Sequence, residues 1–213
     1  PVVIGETEPE TKPVFLNKAK AEIALIHFAK DLKTVLPDCD LKGSYQKNNI
    51  RTALQAIAVL NQIEGWAIKK VEIENGLANV KSNTRFRGRW ETLGQQPRII
   101  ADTGHNEEGL RLVIKQLLQE SYEHLHIVLG VVNDKDLDKI LPLFPKEALY
   151  YFCKPDVPRG MEAEYLQKKA RDFFLNGDVF TSVGDAFKTA KQSAKASDVI
   201  FVGGSTFTVA EIL

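Results

Sequence analysis

From Arg85 to the C-terminus, apolar runs alternate with amphipathic helical stripes at a nearly fixed spacing. The runs at Arg98–Asp102, His126–Val132, Ala148–Cys153, Asp178–Ser182 and Asp198–Gly203 are mostly continuous rather than alternating, which is the pattern of strands buried on both faces. Between them lie helical stripes. Leu110, Val113, Ile114, Leu117 and Leu118 form one, Ala163, Leu166, Ala170 and Phe173 a second, and Ala186, Phe187, Ala190 and Ala194 a third. The third is opened by Ser182-x-x-Asp185, a capping-box pattern. Parallel strands need a crossover, and helices of this length supply it. The expectation is therefore an α/β domain: a Rossmann-like, mostly parallel sheet with helices on both faces.

The first 85 residues are less regular. Pro1–Gly5 reads as extended chain, and the Glu/Thr/Pro stretch through Pro13 as a turn or exposed loop. Asn17–Phe28 suits a helix followed by a short strand. The clearest element begins near Asn48: Ile50, Ala53, Leu54, Ile57 and Ala58 share one helical face, and Gly65 supplies a stop. Trp66–Val80 suits a short helix and a connection. Lys81-Ser82-Asn83-Thr84 is polar and lacks periodicity, so it reads as a linker. The expected organisation is residues 1–82 as one part and 83–213 as a second. The opening Pro1-Val2-Val3-Ile4 resembles the interior of a strand, and the only methionine is Met161, which suggests a piece of a longer protein.

Balanced charge narrows the ligand classes. Lys+Arg 28 against Asp+Glu 28 leaves no basic excess of the kind that nucleic-acid phosphates select. No apolar run reaches the ~18 residues of a membrane span. Cys39 and Cys153 are far apart and read as two free thiols of a cytoplasmic protein. The chain contains no G-x-x-x-x-G-K-[ST], no strand-following G-x-G-x-x-G, no C-x-x-C, no H-E-x-x-H and no G-x-S-x-G. A P-loop, a standard dinucleotide fingerprint, a zinc motif and a hydrolase elbow are thus missing from it.

In a sheet of this kind ligands bind at the C-terminal ends of the strands. Three polar, glycine-bearing loops are expected there: Asp102-Thr103-Gly104-His105-Asn106, Gly130 to Asp136, and Gly203-Gly204-Ser205-Thr206. Each has a structural and a ligand-binding reading. Asp102 and Asn106 suit caps of the following helix, while Asp102 also suits a ribose hydroxyl and His105 can titrate near neutrality. Lys135 lies in a run of solvated charge. Ser205 suits an N-cap or an anion contact. Arg89 follows Gly88, where backbone can approach closely and a guanidinium matches a phosphate. His124 and His126 alternate along one strand and read as structural, two ligands being too few for a metal.

Taken in order, five segments resemble motifs of the Mur ligase family, and within it the folylpolyglutamate synthase/dihydrofolate synthase branch. Gly43-Ser44-Tyr45-Gln46-Lys47-Asn48-Asn49 is similar to G-x-x-Q-x-x-N, and Gly88-Arg89-Trp90-Glu91 to P-G-R-[FW]-[EQ]. Asp102-Thr103-Gly104-His105-Asn106 is similar to D-x-A-H-N, Gly130 to Asp136 to G-x-x-x-D-K-D, and Gly204-Ser205 with Phe207 to G-S-x-[YF]. Arg87, Gly104, Glu107 and the extra Gly203 depart from those patterns.

The resemblance implies that residues 1–82 are the end of an ATP-binding domain and 83–213 the C-terminal domain of an ATP-dependent ligase. The implied reaction adds L-glutamate to a folate, or to dihydropteroate, through an acyl phosphate. ATP and Mg2+ would be required, with the metal ligands outside this chain, and the whole protein would be a monomer. By the same resemblance, Asn49, Arg89 and Asp102 would contact ATP through adenine, phosphate and ribose, and His105, Lys135 and Ser205 would lie near the glutamate. Two other readings compete: a ligase of peptidoglycan precursors, and a stand-alone amino-acid or nucleotide-binding module.

Overall fold

A computed structural model describes all of residues 1–213, and the chain separates into two compact units, Pro1–Phe86 and Arg87–Leu213. In the first unit, β1 (Val2–Ile4) pairs in parallel with β2 (Ile26–Phe28) across α1 (Lys12–Ala21). Helix α1 begins earlier than the sequence suggests. Pro13 falls in its first turn, where a missing N–H costs nothing, so the proline starts the helix instead of marking a loop. Helix α2 (Gln46–Leu60) buries Ile50 and Val59, and α3 (Lys70–Ala78) follows. The expected linker at 81–84 is instead the short helix α4 (Val80–Thr84). Its start is tied by the N–H of Lys81 donating to Asp40 Oδ2 at 2.9 Å, a partner 41 residues away.

The second unit is a six-stranded sheet in the order β3-β4-β8-β5-β6-β7. The strands are β3 (Glu91–Gln95), β4 (Arg98–Ala101), β5 (Leu125–Leu129), β6 (Leu149–Cys153), β7 (Gly177–Phe180) and β8 (Val199–Gly203). All neighbours pair in parallel except the β3–β4 hairpin at one edge. Helices α5 (Glu107–Leu117), α7 (Ala163–Arg171) and α8 (Val183–Ser193) form the long crossovers, with short α6 (Leu137–Ile140) after β5 and α9 (Thr206–Ala210) after β8.

Because successive strand residues point to opposite faces, one sheet yields two cores. On one face Ile99, Val128, Tyr151, Cys153, Ile200 and Val202 pack with Val183, Ala186 and Ala190 of α8. The alternate residues Ile127, Leu129, Phe152 and Phe201 are equally buried. The helix stripes enter as expected, except that Leu118 ends the α5 stripe half-exposed, as the helix has by then turned its face away. Cys153 is fully buried, and burial raises its thiol well above the ordinary range, so it stays an unreactive thiol.

Candidate functional site

The C-terminal ends of β4, β5 and β8 carry the three loops that the strand-end rule selects. β4 runs into Asp102, whose side chain is wholly buried. Its Oδ2 accepts the N–H of Trp90 at 2.7 Å and its Oδ1 the N–H of Gly104 at 2.7 Å. The carboxylate therefore ties the turn before β3 to the loop after β4. Its burial presents no face to a ribose hydroxyl in this arrangement.

The tied turn carries Arg89. Gly88 has φ +77° and Trp90 φ +47°, so Arg89 is flanked on both sides by left-handed backbone. A Cβ at Gly88 would lie 2.8 Å from Thr103 Cγ2, which keeps that position to glycine on two counts. Trp90 adopts a costly conformation for a bulky residue, held by its bond to Asp102 and by burial of its ring. Glu91 completes the brace: Oε2 accepts the N–H of Gly88 at 2.7 Å and Oε1 the Nε–H of Arg87 at 2.6 Å. Arg87, which departs from the family's proline, thus supplies a contact of its own.

His105, Lys135 and Ser205 line one cavity of about 300 Å3, with Val132, Asp134, Arg159, Thr206 and Phe207. His105 Nδ1 lies 3.0 Å from the carbonyl of Thr103. A carbonyl only accepts, so Nδ1 carries the hydrogen and Nε2 of the neutral ring is left as an acceptor. Asn106 takes the capping role, its Oδ1 accepting the N–H of Gly109 at 2.9 Å. Ser205 is buried and caps α9, its Oγ accepting the N–H of Phe207 at 3.2 Å, which leaves its hydroxyl hydrogen to donate.

Lys135 is not the solvated charge of its sequence run: its side chain is only 18% exposed and its Nζ lies 3.9 Å from Asp134 Oδ1. The residue that sequence reasoning missed is Arg159. Its Nη1 lies 3.6 Å from Asp134 Oδ2, and its guanidinium sits 5.0 Å from the Phe207 ring centre. It reaches the cavity because the loop after β6 is stitched back to the loop after β5. The N–H of Asn133 donates to the Arg159 carbonyl (2.9 Å) and that of Met161 to the Val131 carbonyl (3.0 Å). No residue pattern announces such a backbone stitch; Pro158-Arg159-Gly160 reads only as a turn.

Gly204 immediately precedes Ser205, which lines the cavity. Its φ is +93°, and a Cβ there would lie 2.6 Å from Leu129 Cδ1 and 2.8 Å from the Gly130 carbonyl. Asn49 belongs to the first unit, exposed on α2, with Nδ2 donating to Gln46 Oε1 at 2.8 Å. The site thus resolves into a cavity with two cations, one carboxylate, a histidine acceptor and a serine donor, beside a braced turn presenting an arginine.

Residues 88–206 match the family model of the Mur ligase, glutamate ligase domain. The chain belongs to the Mur ligase family. Over 211 residues, 97% of its length, it is 28% identical to a probable bifunctional folylpolyglutamate synthase/dihydropteroate synthase of Haloferax volcanii, covering 24% of that protein. Over 168 residues, 78% of its length, it is 30% identical to the dihydrofolate synthase/folylpolyglutamate synthase of Escherichia coli, covering 37% of that protein. A solved bifunctional folylpolyglutamate synthase/dihydrofolate synthase with Mn, AMPPNP and L-glutamate bound superposes with a TM-score of 0.78 at 24% identity, over 99% of this chain and 52% of that one. The chain therefore spans from about a quarter to about half the length of the Mur ligase relatives named above.

Proposed function

We propose that this chain carries the amino-acid-binding domain of an ATP-dependent ligase that adds L-glutamate to a folate or to dihydropteroate. The observation that carries the reading is the charge inventory of the strand-end cavity. Glutamate brings two carboxylates and one amine; the cavity offers Lys135 and Arg159 for the carboxylates, and Asp134 with the His105 Nε2 acceptor for the amine. A substrate with one carboxylate would leave one cation paired with Asp134 alone. One with two amines would bring a charge that the cavity does not answer.

In this reading residues 1–82 are the closing part of the ATP-binding domain and 83–213 the glutamate domain. Asn49 meets the adenine and Arg89 a phosphate. Asp102 serves the nucleotide chiefly by holding the Arg89 turn and the His105 loop in one piece. ATP supplies the phosphoryl group that converts the acceptor's carboxylate to an acyl phosphate, and Mg2+ assists that transfer from ligands outside this chain. Glu91 and Asp102 hold the Arg89 turn and the His105 loop through four hydrogen bonds.

The chain's own groups then act on the second half-reaction. Lys135, Arg159 and Ser205 fix the glutamate. His105 Nε2 takes a proton from the glutamate ammonium, which frees the nitrogen lone pair for attack on the acyl carbon. The C–N bond forms as the C–O bond to phosphate breaks, and the departing phosphate takes the second amine proton. Holding the amine in place converts a bimolecular encounter into a positioned one and is where most of the domain's contribution lies. The test is product analysis on the whole protein. Incubated with ATP, L-glutamate and tetrahydrofolate, it should release phosphate and extend the folate by one glutamate. Product only with a peptidoglycan precursor, or tight nucleotide binding without any ligation, would replace this reading by one of its competitors.

A further inference from the structure

The N-terminal edge of the sheet, opposite the cavity, holds a second polar cluster that the ligase chemistry does not use. Asp198 immediately precedes β8, and His124 immediately precedes β5. Those strands are neighbours in register, Leu125 opposite Val199. The Asp198 side chain is 2% exposed, yet no lysine or arginine side-chain nitrogen comes within 4 Å of it; its ion-pair partners are His124 and His126 alone. A buried carboxylate is normally paired with a cation or bound to a metal.

We propose that Glu123, His124 and Asp198 form a binding site for a divalent transition-metal ion of the zinc type. The ligand atoms of these three residues lie within 4.8 Å of one another. In a tetrahedral zinc site with bonds of ~2.1 Å, neighbouring ligand atoms are about 3.4 Å apart. His124 Nδ1 and Asp198 Oδ1 already stand at 3.4 Å. Glu123 is exposed and free to swing in, while its backbone is fixed by its N–H donating to the Ser197 carbonyl at 3.1 Å. One nitrogen and two carboxylate ligands leave the fourth position to water.

The support behind the ligands is of the kind that metal sites need. Asp198 Oδ2 accepts the N–H of Lys195 at 2.7 Å and faces His126 Nε2 at 3.4 Å. His126 Nδ1 in turn lies 2.9 Å from the Tyr151 hydroxyl. That chain turns Oδ1 toward His124. Oδ1 takes one hydrogen bond, from the N–H of His124 at 3.1 Å, and retains a lone pair for a metal. His126 supports the site and does not ligate. The bound ion would join the starts of β5 and β8, about 16 Å along the strands from the cavity.

The test is titration of the metal-free chain with Zn2+ by calorimetry and with Co2+ by its visible absorption, in a Cys39→Ser background that removes the one thiol not buried. The expected result is one ion per chain, a tetrahedral Co2+ spectrum and a rise in melting temperature with zinc. His124→Ala and Glu123→Gln should each weaken binding at least tenfold, and His27→Ala should leave it unchanged. Both ligand substitutions are at exposed side chains, so folding is preserved and ligase activity should be untouched. Absence of saturable binding below millimolar zinc, or binding that survives both substitutions, overturns the proposal.

Discussion

Replacing Asp102 by alanine removes the acceptor of two backbone N–H groups, those of Trp90 and Gly104, at a site with no solvent exposure. A buried donor left without a partner costs about 1–3 kcal/mol, so the pair costs about 2–6 kcal/mol. Trp90 can recover part of this. Released from its tie, it can leave its left-handed conformation, which itself costs about 1–2 kcal/mol. The expected loss is then about 3 kcal/mol, or about 6–12 °C in melting temperature for a chain of this length. Trp90 is buried and Trp66 is half-exposed in the other unit, so a Trp66→Phe background makes tryptophan fluorescence report on the second unit alone. Urea unfolding of that protein with and without Asp102→Ala gives the difference directly. Asp102→Asn keeps one acceptor oxygen and should lose about half as much. A stability within 0.5 kcal/mol of the parent for the alanine variant would refute the view that this carboxylate holds the two loops together.

Further expectations concern the loops and the edge. Gly204→Ala meets both a left-handed backbone and a 2.6 Å contact with Leu129, so it should lower stability by about 1–3 kcal/mol and weaken glutamate affinity, read by thermal melting and by KM. Asn106→Ala removes the α5 cap and should cost about 1 kcal/mol in urea unfolding. Stability should also fall on acidification. Burial lowers the pKa of His126, outweighing the neighbouring Asp198, so the unfolded chain takes up that proton first and stability is lost as pH drops below about 6.5. Burial alone would raise Asp198, but the N–H groups of Lys195 and His124, and then His126, hold it below the ordinary range. Its contribution is present above the unfolded value near 3.8 and is lost as pH falls through the folded one. Melting curves with chelator should decline as pH falls below about 6.5, for His126, and again below about 3.8, for Asp198; a flat profile across either window would contradict the corresponding assignment.

The strands and crossover helices were legible because their burial is written in hydrophobic period: β4 to β8 fall within a few residues of the apolar runs, and α5, α7 and α8 on the three stripes. Strand β3 was not. Glu91-Thr92-Leu93-Gly94-Gln95 has neither alternation nor an apolar run, and its pairing to β4 is irregular between Thr92 and Gly94. Its strand character comes from the hairpin partner. Helix α4 was read as a linker because its start depends on Asp40, a contact distant in sequence. The residues lining the cavity were found through loops at strand ends and family-like motifs. Arg159 escaped because backbone bonds between two loops, not side-chain spacing, bring it there. Asp102 was visible as a residue, but its burial was not, since one sequence does not show which way a strand-end carboxylate turns.

The central claim is that the strand-end cavity binds the incoming glutamate. Steady-state kinetics of Lys135→Ala in the whole ligase test it most directly. A charge-assisted hydrogen bond is worth about 1.5–3 kcal/mol, which corresponds to about a 10- to 150-fold rise in KM for glutamate. The account predicts that rise with the KM for ATP unchanged within about twofold. An unaltered glutamate KM, or a loss confined to ATP, would contradict it.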